Sequence, residues 1–220
     1  MARIISVLVA CEESQKVCCA FRALGHEAYS CDLVPCSGGH PEWHIQDDAR
    51  HVVQCRHWDL LIAHPPCTFL SNAGACRLYP RAGCSPDPER LMQGMLARDF
   101  FMELLETSCA RHVCVENPTP SRVFGLPKPD CIIQPFEYGH PYTKRTCLWL
   151  RNLPALKPTR IVTPIAPFCP SGTGRRDRSK YGAAARGNDR RNRSVTFDGI
   201  AVAMAEQFSK FITCERKETT

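Results

Sequence analysis

The feature that most restricts the fold is a recurring run of apolar, often β-branched residues that ends abruptly in polar ones. Ile4–Ala10 (IISVLVA) is continuous, as in a strand buried on both faces of a sheet, and gives way to Cys11, Glu12 and Glu13. Asp59–Ala63 (DLLIA) ends in a His-Pro-Pro-Cys turn, and Arg111–Val115 (RHVCV) runs into Glu116, Asn117 and Pro118. After the first run, Val17, Ala20, Phe21 and Leu24 fall on one helical stripe, with Ser14 placed to cap it and Gly25 to end it. Glu27–Leu33 (EAYSCDL) reads as the next short strand, which completes a βαβ unit.

The alternation continues. Glu89–Thr107 is the longest helical stretch, with Leu91, Met95, Phe101 (beside Phe100), Met102, Leu104 and Leu105 as inward candidates. Thr146–Leu150 (TCLWL) reads as a further strand and Gly199–Ile212 as a final amphipathic helix. Alternating strands and helices predict an α/β protein with a mainly parallel, Rossmann-like sheet covered by helices on both faces. In such sheets ligands sit at the carboxyl ends of the strands. Glu12–Ser14, Asp32, His64–Cys67 and Glu116–Asn117 all occupy predicted strand ends, so they form the expected site.

Composition narrows the setting. Fifteen cysteines in 220 residues would suit a disulfide scaffold only in a much shorter chain with an even count. Several lie inside apolar strand-like runs, which predicts a reducing, cytoplasmic compartment and thiols used mostly for packing. No basic segment followed by an apolar one opens the sequence. No apolar run approaches the roughly 20 residues that cross a bilayer, so no membrane partner is expected. The net charge of +6 is unevenly spread. Arg175, Arg176, Arg178, Lys180, Arg186, Arg190, Arg191 and Arg193 face only Asp177 and Asp189, in a stretch without apolar period. That stretch reads either as a solvated basic linker or as a loop that contacts nucleic-acid phosphates.

The segment Asp59–Gly74 (DLLIAHPPCTFLSNAG) carries the sharpest chemistry, because two prolines stiffen the turn that presents Cys67. It resembles the Pro-Pro-Cys nucleophile motif of DNA cytosine-C5 methyltransferases, including the downstream Ser71 and the Ala-Gly pair. Val115–Pro118 (VENP) is similar to that family's Glu-Asn-Val motif, and Tyr138–Leu150 (YGHPYTKRTCLWL) to its Gly-x-Pro-Gln-x-Arg-x-Arg motif. The three occur in the family's order, and the opening VLVACEESQ…AFRALGHEAYSCDL is similar to that of short, phage-type members.

The resemblance implies methylation of cytosine C5 in DNA, with S-adenosylmethionine as donor, in a bacterial or phage-infected cell. Cys67 would add to C6 as a thiolate. Glu116, held protonated or sharing a proton with the base, would hydrogen-bond ring N3 from a carboxyl raised by burial, and Asn117 would orient the backbone. Lys144 and Arg145 would contact the base O2, the nucleophile or a flanking phosphate. Ser71 and the basic cluster would meet DNA, whose target base must be flipped out. On the donor side, Cys11, Glu12, Ser14 and Pro65 would line the site. Asp32 would hold the ribose hydroxyls and Asp48 the adenine amino group, with Asp47 competing for that role.

The sequence departs from the family at several points. Its glycine-rich first loop is replaced by Cys11-Glu12-Glu13-Ser14-Gln15, Thr68 follows the nucleophile, and Lys144-Arg145 stand for spaced arginines. The expected organisation is a catalytic core over 1–150, a reduced basic recognition region over 151–195, and a helix over 196–220 that packs back on the core. Two further readings stay open: a catalytically degenerate nucleic-acid-binding or anti-defence protein, and an enzyme that modifies free pyrimidine nucleotides. Cys31, Cys36, His40 and His44 also have spacings within the range of zinc ligands.

Overall fold

The computed structural model describes residues 3–75, 77–81, 83–168 and 194–215. Its strands are β1 (Ser6–Ala10), β2 (Glu27–Asp32), β3 (His44–Gln46), β4 (Trp58–Ala63), β5 (Ala110–Pro118), β6 (Cys131–Ile133), β7 (Tyr142–Thr143), β8 (Thr146–Arg151) and β9 (Ala166–Pro167). Helices are α1 (Lys16–Ala23), α2 (Ala49–Gln54), α3 (Asn72–Ala75), α4 (Pro88–Glu106) and α5 (Asp198–Glu215). Seven strands form one sheet in the order β3-β2-β1-β4-β5-β8-β6, and β7 pairs with β9 alone. The first five of that order are parallel, whereas β8 runs antiparallel to both its neighbours. This α/β architecture is compatible with a Rossmann-like fold.

Period-two alternation decides which face each strand residue serves. Val7, Val9, Leu60, Ile62, Cys114 and Leu148 pack with Val17, Cys18 and Phe21 of α1 and with Ile200, Met204, Phe208 and Ile212 of α5. Their neighbours Leu8, Ala10, Leu61, Ala63, Val113, Val115, Cys147 and Trp149 pack on the other face with Val52 and Val53 of α2 and Phe101 and Leu104 of α4. Both faces are therefore dry, which is why the central strands read as unbroken apolar runs. Among the described residues, no helix is long and apolar enough to cross a membrane.

Several local expectations shift. The stretch between β2 and β4, which carries no strong period, supplies the short β3 and α2. Ser14 does not cap α1: Gln15 takes the cap position in a left-handed conformation, and the carboxylate of Glu12 reaches over to the helix amides instead. Leu24 is exposed, because it sits past the last turn as the C-cap, and Gly25 then reverses the chain at φ 81°. On α4 the buried stripe is Gly94, Phe101 and Leu104, so Met95, about 100° away from Gly94, faces outward. Cys18, Cys31, Cys114 and Cys147 are buried packing residues as the sequence predicts, but Cys55, Cys84 and Cys214 are exposed; no disulfide joins the thirteen described cysteines.

Gly94 is a close-approach position. A Cβ there would overlap the ring of Phe124, which is itself buried. Alanine ordinarily improves a helix interior by about 1 kcal/mol over glycine, but forcing atoms into a packed core costs about 1–3 kcal/mol. Gly94→Ala is expected to lower the free energy of unfolding in urea by about 1 kcal/mol. A gain in stability would show that the Phe124 ring moves aside freely.

Candidate active site

The sheet order reverses direction between β1 and β4, which opens a crevice at their carboxyl ends. His64 lies at that point: its backbone N–H donates to the Ala10 carbonyl at 2.9 Å, prolonging the β1–β4 ladder by one rung. By the same alternation His64 follows Leu60 and Ile62, and Glu116 follows Cys114, onto the face that carries α1 and α5. The two side chains meet there, with His64 Nδ1 3.2 Å from Glu116 Oε2. Only 9% of the His64 side chain and 19% of the Glu116 side chain are exposed.

Burial alone would depress the imidazole, but the hydrogen bond and charge of Glu116, with the charge of Glu12, outweigh it and raise His64 above its ordinary value. Burial alone would raise Glu116, but the His64 bond and charge, with Lys144, hold it below the carboxylate range. The two directions agree on an ion pair. This corrects the expectation that burial raises this carboxyl: the cation that keeps Glu116 ionised is the residue just before the Pro-Pro-Cys turn. The sequence reading placed His64 at a strand end without a role.

The loop after β1 is built without glycine, yet two of its residues take the conformation that glycine favours: Cys11 at φ 59° and Gln15 at φ 57°. Both oxygens of Glu12 are engaged on the start of α1, accepting from Val17 N at 2.7 Å and Cys18 N at 3.2 Å. Burial still pushes this carboxyl up, against the pull of His64 and those two amides. Gln15 is fully buried and clamps the loop to the segment after β2. Its Nε2 donates to the His40 carbonyl at 2.8 Å and to Ser30 Oγ at 3.2 Å, and its Oε1 accepts from His40 N at 3.0 Å. Ser37 N donates to the Glu13 carbonyl at 2.8 Å. A Cβ on Gly38 would fall 2.6 Å from the Ser14 carbonyl oxygen, so only glycine fits beneath this closure.

Asp32 and Asp48 both act on the Cys11 thiol, which burial chiefly pushes up and these two charges push further. The three therefore share one neighbourhood. One oxygen of each carboxylate is used locally: Asp32 Oδ1 accepts from Val34 N at 3.3 Å, and Asp48 Oδ1 from Arg50 N at 2.9 Å as the cap of α2. Asp47 instead bonds Asp48 N at 2.6 Å and lies 3.5 Å from His51 Nδ1.

The Pro-Pro-Cys turn is mounted on β5. Asn117, 1% exposed, donates its Nδ2 to the carbonyl of the buried Pro65 at 3.0 Å, while its Oδ1 is buried without a hydrogen-bond partner. Cys67 is half-buried. Its carbonyl accepts from Ser71 N at 3.0 Å, and Leu70 and Asn72 bond the segment after β5 at Ser121 and Thr119. Ser71 is buried, with its hydroxyl accepting from Gly74 N at 3.2 Å, so it serves the turn from inside. A Cβ on Gly74 would overlap the Thr68 carbonyl oxygen, which explains the glycine of the motif. Lys144 stands beside the ion pair, acting on both partners, with its Nζ 5.9 Å from the Phe168 ring and 5.8 Å from the Phe197 ring. Arg145 is exposed and bonds toward Cys147.

The four candidate zinc ligands do not converge. Both ring nitrogens of His44 are taken, at 2.9 Å by Ser30 Oγ and at 2.9 Å by the Val34 carbonyl. His40 bonds Glu42 and stacks on Trp43, and Cys31 donates to the Asp47 carbonyl. Among the described residues no three His, Cys, Asp or Glu side chains are grouped to hold a metal ion. The basic cluster Arg175, Arg176, Arg178, Lys180, Arg186, Arg190, Arg191 and Arg193 lies outside the described residues.

The ion pair makes stability depend on pH in a definite direction. A depressed Glu116 adds stability above its ordinary 4.5 that is lost as pH falls through its lowered value. A raised His64 adds stability below its ordinary 6.5 that is lost as pH rises through its raised value. The stability deficit of Glu116→Gln relative to the unsubstituted protein is therefore expected to peak between pH 4.5 and 6.5 and shrink on either side. Its size should be about 3 kcal/mol, the low end for a buried pair, since Glu116 retains some solvent contact. Urea unfolding across pH measures it, and a flat difference would mean that the two groups do not interact. A scan against protein-family models and a search of curated proteins found no match for this chain.

Proposed function

We propose that this protein transfers a methyl group from S-adenosylmethionine to C5 of cytosine in DNA, with Cys67 as the nucleophile. The observation that carries the reading is the hydrogen bond from Asn117 Nδ2 to the Pro65 carbonyl. It joins the Pro-Pro-Cys turn to the Glu116–Asn117 strand end, so the nucleophile and the carboxylate for the ring belong to one rigid unit. Cytosine C5 is a weak nucleophile toward a methyl sulfonium. Addition of the Cys67 thiolate at C6 converts the ring to an enamine that attacks from C5. Glu116 faces the ring nitrogens, Lys144 supplies positive charge beside it, and Arg145 is exposed for a phosphate.

The donor fits the carboxylates of Asp32 and Asp48, each of which has one oxygen engaged locally, beside a Cys11 backbone that already adopts a glycine-like turn. Bound there, S-adenosylmethionine supplies an electrophilic methyl group. Cys67→Ala and Cys67→Ser are expected to lower labelled-methyl transfer to cytosine-containing DNA by roughly 10³-fold or more while leaving the unfolding curve unchanged. DNA containing 5-fluorocytosine should trap a denaturation-resistant adduct with the unsubstituted protein. Undiminished transfer by Cys67→Ala would remove the mechanism, and transfer to deoxycytidine nucleotides in place of DNA would redirect it to free pyrimidines.

A second reading draws on the clamp between Gln15 and His40 and the full engagement of Glu12. A first loop closed in this way suits a methyltransferase-like protein that binds nucleic acid without using the donor. Calorimetry with S-adenosylmethionine separates the two: heat of binding abolished by Asp32→Ala supports the enzyme, and its absence supports the binding protein.

A further inference from the structure

We propose that His64 stores the proton that Glu116 delivers to the pyrimidine ring, its Nδ1–H passing to Glu116 Oε2 as the carboxyl group protonates ring N3. The proposal rests on the cytosine reading above and extends it to a residue that the Pro-Pro-Cys resemblance leaves without a part. A carboxylate that must protonate a ring needs a proton when the thiolate attacks. Glu116 is ionised, so the proton has to reside on a neighbour in direct contact. His64 Nδ1, 3.2 Å away and shielded from solvent, is in that position.

The charges around the pair support this storage. Glu12 faces His64 from the loop after β1, and Lys144 faces both partners from the turn between β7 and β8. Cys114 shares the Glu116 face of β5, while Cys147 of β8 packs on the opposite face; burial chiefly pushes both thiols up, so they remain neutral. Glu12 and Glu116 flank one imidazolium, and Glu12 has both oxygens held by the amides of Val17 and Cys18. Glu116 is the carboxylate that His64 Nδ1 contacts directly. Among the described residues His64 Nε2 is buried without a hydrogen-bond partner, so there the Nδ1 contact ties the ring to its surroundings.

The step balances. The Cys67 Sγ–C6 bond forms, the C5=C6 pair shifts to C4=C5, and the C4=N3 π pair moves onto N3 and takes a proton from Glu116. That proton is the Nδ1 proton of His64, which passes to Glu116 Oε2 and on to N3, so Glu116 ends ionised as it began and the charges of thiolate and imidazolium vanish together. When the addition reverses and the Sγ–C6 bond breaks, the proton returns along the same path. His64 acts through Glu116 and never touches the base, so it is a positioning residue whose signature is a proton.

The test follows formation of the adduct with 5-fluorocytosine DNA as a function of pH. The unsubstituted protein is expected to lose rate as pH rises through the raised value of His64. His64→Gln keeps a side-chain donor for Glu116 but has no proton to store. It should form adduct about 10²-fold more slowly and lack that alkaline limb. An alkaline limb unchanged in His64→Gln would overturn the proposal. A second measurement needs no variant: the ring nitrogen resonances of His64 at neutral pH should report an imidazolium in the free protein and a neutral ring in the adduct. An imidazolium in both states, or a neutral ring in both, would overturn it while leaving the nucleophile reading intact. Failure of the unsubstituted protein to form any adduct would overturn both.

Discussion

Burying charge at the ends of adjacent parallel strands is the constraint around which this structure is arranged. Glu12, His64 and Glu116 follow β1, occupy the end of β4, and lie on β5, and all three are largely withdrawn from water. An isolated ion in such a place is prohibitively costly, so each must find a partner. The alternation of the strands supplies the geometry, since it puts His64 and Glu116 on the same face. The N-terminus of α1 supplies two amides and a favourable dipole for Glu12. The strand register and the start of the first helix thus settle together, because a one-residue slip in either would strand a charge.

The same residues explain the unusual first loop. Without glycine, a tight strand-to-helix turn requires side-chain-bearing residues in left-handed conformations, here Cys11 and Gln15. Such conformations persist only where surrounding bonds over-determine them. Gln15 meets that need through three hydrogen bonds, two of them to His40, and Gly38 lets the neighbouring segment lie close enough to make them. The clamp therefore holds the turn that Glu12 needs in order to reach α1, and the loop after β1 and the buried charges form one mechanical unit.

Much of this was legible in the sequence. The strands Ile4–Ala10 and Asp59–Ala63 stood out because both faces of the sheet are dry, and the convergence of strand-end polar residues followed from parallel topology alone. Short elements such as β3, α2 and β6 were not legible, since three to six residues carry too little period to separate from a loop. The inward list for α4 failed at Met95 because that helix is apolar on several sides, and only contact with Phe124 shows that the stripe runs through Gly94. The charge state of Glu116 was beyond reach for a different reason. It depends on a contact 52 residues away in the chain, and burial without that contact would have produced the opposite direction.

That last point bears on how a single substitution can alter chemistry without changing the fold. A glycine before the Pro-Pro-Cys turn would leave Glu116 buried beside Lys144, with its proton governed by desolvation and solvent access. A histidine at the same position keeps the carboxyl ionised and places a proton one hydrogen bond away. It also puts a positive charge between Glu116 and Glu12, where the low local dielectric makes the coupling stronger than it would be at the surface. The charge at Glu116 is then tied to the loop at the start of α1, the same loop that Gln15 clamps. Rearranging that loop would move Glu12 relative to His64 and so change how readily Glu116 gives up a proton, through electrostatics alone and with no moving part between the two sides of the crevice.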